Sequence, residues 1–254
     1  MTRRNWTREE LIVAFNLYCK IPFGQIHNRN PKIINLANLI GRTPSAVSWK
    51  LANFASLDPS LKERGVSGAM HVSKSDQEIW DEFNQDWEEL SFLSENLLSK
   101  FMDQTIEESI DAETENFPEG KEHERIVRTR VNQNFFRQTI LSAYNTKCCI
   151  TGLAVPELLN ASHIVPWSVD AKNRVNPRNG LCLNAIHDRA FDRGLITITT
   201  NFKVKLSSLL TSFNDDKAIE NLFAEYEGIQ INLPDKFIPD RKFLEYHNQK
   251  VFQG

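Results

Sequence analysis

No run of apolar residues in this chain is long enough to cross a bilayer. No secretory apolar region follows Met1 either, because Arg3, Arg4 and a helical pattern come at once. These absences argue against a membrane protein and lead us to expect a cytoplasmic one. The four cysteines, Cys19, Cys148, Cys149 and Cys182, include no C-x-x-C pair. Neither a disulfide framework nor a structural zinc site is therefore expected, and the thiols are expected to be reduced and mostly buried. Net charge is also low, at −3 over 254 residues. By itself that argues neither for nor against a polyanionic partner.

Hydrophobic residues make up 41% of the chain, enough for more than one small core. The charge is unevenly distributed. Residues 1–74 carry 11 Lys and Arg against 4 acids, residues 75–124 carry 2 against 17, and residues 125–254 carry 17 against 12. We therefore divide the chain into a basic N-terminal domain (1–74), an acidic helix and linker (75–124) and a basic C-terminal domain (125–254). Two basic ends around an acidic connector suit two polyanion-facing domains.

In the N-terminal segment, Ile33, Leu36, Ala37 and Ile40 form one apolar helical face before a break at Gly41. Thr43 can cap a second helix, Pro44 fits its first turn, and Val47, Leu51 and Phe54 recur at helical spacing. A small Ala37, a turn glycine at 41 and an apolar Val47 suit a helix-turn-helix, and the segment resembles such modules. Its second helix would present Thr43, Ser45, Ser48, Trp49 and Lys50 outward, with Arg42 at its entry, to phosphates and base edges of duplex DNA. An ordinary helical hairpin with a solvated basic face is the alternative.

From Ser75 onward, Trp80, Phe83, Trp87, Leu90, Ser94, Leu97 and Phe101 recur at steps of three and four, the pattern of one long amphipathic helix. Its own domain, the other domain or a second copy of the chain could cover that stripe, the last making a homodimer through residues 76–110. After Ile110, a stretch with few apolar residues and with Pro118 and Gly120 suits a linker.

At Arg125 the composition turns basic and aromatic. Val131, Phe135, Phe136, Ile140 and Tyr144 mark a core-facing helix, leaving Arg128, Arg130 and Arg137 available to phosphates. The run ASHIVPW reads as a strand ended by Pro166, and a polar loop leads to a second short strand at 181–183. Asn184 can cap a helix over 185–193 that Gly194 closes, and LITIT follows as another strand. The set His163, Asn179 and His187, spaced His-x15-Asn-x7-His, lies in a strand, loop, strand, helix order. With it, the segment resembles an HNH endonuclease of the ββα-metal fold. The flanking CITG, PW and AFDRG strings resemble a subgroup of bacterial restriction endonucleases. The fold class expected for the whole chain is α+β, with a helical N-terminal domain, an acidic helix and linker, and a ββα-metal nuclease domain.

That resemblance implies metal-dependent hydrolysis of DNA phosphodiesters in restriction or phage defence. His163 would accept the proton of the attacking water, and Asn179 would hold that imidazole or the loop backbone. His187 would bind a divalent ion, magnesium or manganese, that stabilises the pentacovalent phosphate. Where many members of the wider fold place a metal-binding carboxylate just before the base, this chain has Ser162. Two other functions stay open: a DNA-binding regulator with a degenerate nuclease domain, and a repair or RNA-processing nuclease. The remaining histidines, His27, His71, His123 and His247, show no partner pattern and are expected at the surface or in loops. Lys203, Lys205, Arg241 and Lys242 are candidate phosphate contacts.

Overall fold

The computed structural model describes residues 4–65, 72–109, 121–212 and 217–254, in two compact units, 1–142 and 143–254. The first is helical: α1 (Arg8–Lys20), α2 (Pro31–Leu39), α3 (Pro44–Leu57), α4 (Pro59–Glu63), α5 (Lys74–Phe83), α6 (Trp87–Met102), α7 (Ile106–Ser109) and α8 (Lys121–Ala143). The second is α+β: β1 (Leu159–His163), β2 (Gly180–Asn184), α9 (Ala185–Asp192), β3 (Ile196–Ile198), β4 (Val204–Leu206), α10 (Ser208–Thr211), α11 (Lys217–Leu222) and α12 (Arg241–Lys250). No helix among the described residues is long and apolar enough to cross a membrane.

Helix α1 is the centre of the first unit. A capping box starts it, with Thr7 Oγ1 accepting from the Glu10 amide while the Glu10 carboxylate accepts from the Thr7 amide. Leu11 to Phe15, Tyr18 and Cys19 are all buried, so α1 is covered nearly all round, and α2, α3, α5 and α6 all pack on it. Helices α2 and α3 meet through a tight turn in which Gly41 takes φ +65° and the Arg42 amide donates to the Ala37 carbonyl. Ala37 and Val47 are both fully buried, so the two helices approach closely there.

The acidic stripe does not form one helix. Asp86 accepts from the Glu89 amide and so starts α6 afresh three residues after α5 ends, a competing cap that apolar periodicity does not register. Trp80, Phe83, Trp87 and Leu90 of the stripe are buried within the first unit, with Phe15 of α1 at 5.3 Å from Trp80 and 6.0 Å from Trp87. The stripe is thus covered by α1 at Trp80 and Trp87, whereas Phe101 at its end is 38% exposed. Residues 110–120, read from sequence as linker, lie outside the described residues.

Helix α8 also departs from the sequence division, because nearly all of it belongs to the first unit rather than starting the second. Arg128 reaches Glu88 and Glu89 of α6 at 3.0 and 3.4 Å, and Lys20 of α1 lies over the Phe135 ring. Its basic composition is therefore matched by α6 acids far off in sequence.

In the second unit β1 and β2 pair antiparallel, with Leu159 opposite Asn184 and His163 opposite Gly180. Asn184 Oδ1 then accepts from the Ile186 and His187 amides, so the end of the hairpin is also the cap of α9. Gly194 closes α9 at φ +67°, and a Cβ there would sit 2.0 Å from the Val251 carbonyl oxygen, so only glycine fits. Strands β3 and β4 form a second antiparallel pair. Cys148, Cys149 and Cys182 are buried free thiols in this core, as Cys19 is in the other unit.

His247 is not the surface residue expected from sequence. It is 1% exposed, stacks 3.7 Å from the Phe191 ring, donates from Nε2 to the Phe191 carbonyl and accepts at Nδ1 from the Thr197 hydroxyl. It thereby ties α12 to α9 and β3.

Two stability outcomes are expected. Lys50 and Asp76 form a buried ion pair at 2.6 Å, to which Asn53 adds a hydrogen bond. Lys50→Met alone should destabilise the first unit by about 3–5 kcal/mol, and a matched apolar change at Asp76 should recover much of it, read by denaturant unfolding. The second concerns acid. Burial lowers the His247 pKa from 6.5 to about 4 despite the Phe191 carbonyl, so the unfolded chain binds a proton that the native one refuses. The stabilisation is complete above 6.5 and lost as pH falls toward about 4, by up to about 3 kcal/mol. Thermal melts of wild type and His247→Gln across that range should converge at the acid end.

Candidate active site

His163 closes β1, and the chain then leaves the sheet through a sixteen-residue excursion that returns at Gly180, its own cross-strand partner. What holds this loop shut is Asn179. Its Oδ1 accepts from the Val165 amide at 2.8 Å, while its Nδ2 donates to the carbonyls of Val165 at 3.1 Å and Asn173 at 3.2 Å. The Ile164 amide donates to the Asn179 carbonyl at 3.0 Å. The side chain is fully buried, so these bonds have no competition from water. Of its two candidate tasks, holding the ring or holding the loop, these contacts serve the loop.

The closed loop delivers the Arg174 carbonyl to His163 Nε2 at 2.8 Å. A carbonyl only accepts, so Nε2 carries the hydrogen and Nδ1 is the acceptor nitrogen of the neutral ring. Burial lowers the His163 pKa below 6.5, an effect that the Arg174 carbonyl and the charge of Asp188 partly offset. The imidazole is thus neutral near pH 7, as a proton acceptor must be. Trp167 stands edge-on at 5.4 Å, and the Arg174 guanidinium lies 5.2 Å from the Trp167 ring centre. Sequence reasoning used Trp167 only as part of the PW string and did not single out Arg174, whose one signal was its position in the loop between the first histidine and the asparagine.

His187 lies elsewhere and does a different job. It is 1% exposed, accepts at Nδ1 from Asn184 Nδ2 at 2.8 Å and donates from Nε2 to the Leu222 carbonyl at 2.7 Å. Phe223 and Tyr226 pack edge-on against its ring. Burial pushes the Cys148 thiol up, but hydrogen bonds to it, those of Thr151 and Asn184 among them, outweigh burial and bring it to about 7. Both ring nitrogens of His187 are thus engaged inside the core, linking the Asn184 cap of α9 to Leu222, the last residue of α11.

Among the described residues no group of three or more His, Cys, Asp or Glu converges as a metal cage. Magnesium-type ions, however, often take only one or two protein carboxylates and complete their shell with water and phosphate. Asp188 and Asp192, one turn apart on α9, offer that chemistry. Asp188 accepts from Asn160 Nδ2 of β1 at 2.7 Å, and its charge is felt at His163. Burial, then the charge of Asp188, raises the Asp192 carboxyl above its ordinary value, a repulsion that a cation would relieve. Oxygen ligands of this kind suit a magnesium-type ion in type, although from sequence neither carboxylate is a comfortable partner for His187 on the same helix. Ser162, in place of the adjacent carboxylate of the wider fold, is 3% exposed and directed into the core.

The other sequence-predicted contacts separate into two groups. Arg42 pairs with Glu10 at 2.6 Å, donates to the Arg4 and Asn5 carbonyls and lies over the Trp6 ring. Lys50 is buried on Asp76, and Arg128 is engaged by Glu88 and Glu89. Each of these three cations is thus paired with an acid of its own unit. Burial pushes the Glu10 carboxyl up, but hydrogen bonding from Arg42 and Thr7 and the charges of Arg42 and Arg4 hold it below the ordinary range. Thr43, Ser45, Trp49, Arg130 and Arg137 are exposed, and Ser48 is half-buried.

A two-stranded hairpin running into a capped helix, with a histidine at the end of the first strand and an asparagine closing the loop, defines the HNH class of nuclease site. Residues 148–199 match the HNH_2 family, described as HNH endonuclease, a span that covers β1, the loop, β2, α9 and β3. The second unit thus carries an HNH endonuclease domain, which implies phosphodiester hydrolysis of a nucleic acid and the use of a divalent metal. No curated protein matches the chain.

A structural His187 has a consequence that a ligand would not share. His187→Ala should lower stability by about 2–4 kcal/mol in metal-free buffer, because it opens a cavity and leaves the Leu222 carbonyl unpaired. Equal wild-type and variant melting without metal would overturn the assignment.

Proposed function

We propose that the protein is a metal-dependent DNA endonuclease in which His163 is the general base. The observation that carries this is the Nε2 bond to the Arg174 carbonyl, which leaves Nδ1 of a neutral, part-buried imidazole as the proton acceptor. Water attacks phosphorus in line, Nδ1 takes its proton, and the bond to the 3′ oxygen breaks. Asn179 contributes by fixing the loop, so that the Arg174 carbonyl and the ring keep one orientation through the reaction. Arg174, half-exposed beside Trp167, is placed to contact phosphate. Asp188 and Asp192 would hold the divalent ion, magnesium or manganese, which when bound stabilises charge on the pentacovalent phosphate and the departing oxygen.

Duplex DNA is the substrate favoured by the α2–α3 helix pair, whose cap and turn suit a helix-turn-helix. Between Ile21 and Leu57 the chain has no Asp or Glu, while Arg29 and Lys32 are exposed. Restriction of foreign DNA in the cytoplasm is the role that the CITG, PW and AFDRG strings support.

Incubating the full chain with plasmid and magnesium or manganese should give nicked and linear products. His163→Ala should slow cleavage by a factor on the order of 10² to 10⁴ without altering thermal melting. Equal rates for variant and wild type would remove His163 as base, and tight DNA binding without metal-dependent cutting would establish a regulator instead.

A further inference from the structure

Trp49 projects from α3 with 67% of its surface exposed, and no other large apolar side chain among the described residues is as open. It does not belong to the helix's packed face, which is formed by Val47, Leu51 and Phe54. A single exposed indole is common, so what surrounds it decides whether it has a role.

Trp49 lines a cleft of about 340 Å³, the small end of the range for small-molecule sites. Ile26 and Ala52 give it apolar lining, and His27, Asn28 and Ser45 give it hydrogen-bonding groups. Asn28 Nδ2 donates to Ser45 Oγ at 3.1 Å, which orients the amide and leaves Oδ1 as an acceptor. A flat aromatic face beside a few fixed donors and acceptors suits one planar heterocycle. Charge identifies what that heterocycle is attached to. Arg29 directly follows the lining residues, Lys32 lies three further on, both are exposed, and no carboxylate occurs from Ile21 to Leu57. A ligand here combines a planar base with a negatively charged backbone.

We infer that this cleft binds a single unpaired nucleobase of a DNA strand, stacked on Trp49, with the adjoining phosphates on Arg29 and Lys32. The inference rests on the proposal that the chain acts on DNA, and it assigns to α3 the capture of an extruded base as well as any groove contact. Stacking accepts any base face, so the site would favour bulged or mismatched DNA over one particular sequence.

The test is fluorescence anisotropy of the full chain in chelator, so that binding is read without cleavage. Two labelled duplexes of one sequence are compared, one fully paired and one carrying a single unpaired base. Wild type should prefer the latter. Trp49→Ala should weaken that complex roughly 5- to 150-fold and the fully paired one little, while Trp49→Phe keeps most of the affinity. Because Trp49 is exposed, thermal melting should be unchanged, which separates lost stacking from lost fold. An unaltered affinity for the unpaired-base duplex, or equal loss on both duplexes, would overturn the base site. Either result stands apart from the cleavage test at His163, which reads the other unit.

Discussion

The buried amide of Asn179 is the constraint on which the candidate active site depends. A loop of sixteen residues between two paired strands has many closed conformations, and most would place no carbonyl at His163. Three hydrogen bonds from one side chain, shielded from water, select a single one. Asparagine suits the task because its amide accepts from one backbone amide while donating to two carbonyls. An aspartate would set a negative charge against those carbonyls, and an apolar residue would leave all three backbone groups unpaired. Proton acceptance at His163 thus depends on a side chain that touches neither water nor phosphate.

A comparable dependence runs through the helical unit, where charges segregated along the sequence are recombined by folding. Lys50 meets Asp76, Lys20 meets Glu95, Arg8 meets Glu82 and Arg128 meets Glu88 and Glu89. In each pair the acid comes from the acidic middle of the chain. Its carboxylates therefore neutralise structural cations. Arg29, Lys32 and Lys62 nevertheless remain exposed, so a partner with negative charge would still meet a basic surface on this unit.

What could be read from sequence was local. The Thr43 cap, Pro44 in the first turn, the left-handed Gly41, the Asn184 cap and the Gly194 terminus all follow from the preferences of single residues, and each is in place. The strand ending at His163 and its partner were legible for the same reason. What could not be read was partnership across the chain. Asp76 is 26 residues from Lys50, the Leu222 carbonyl 35 from His187 and Thr197 50 from His247. Nothing in residue type distinguishes a histidine whose nitrogens face solvent from one whose nitrogens close on a carbonyl and an amide. The break at Asp86 was local but was outweighed by an apolar period that happened to continue across it.

The contrast between His163 and His187 carries the last step. Both rings donate to a backbone carbonyl through Nε2, so that bond does not separate them, but burial does: His187 is 1% exposed and His163 half-buried. Nδ1 of His187 is engaged by the Nδ2 of Asn184, whose Oδ1 caps α9 through the Ile186 and His187 amides. Asp188 and Asp192 project from the same helix without sharing in its cap. On α9 two side chains thus act on different neighbours: His187 ties the helix to Asn184 and Leu222, and Asp188 ties it to Asn160 of β1.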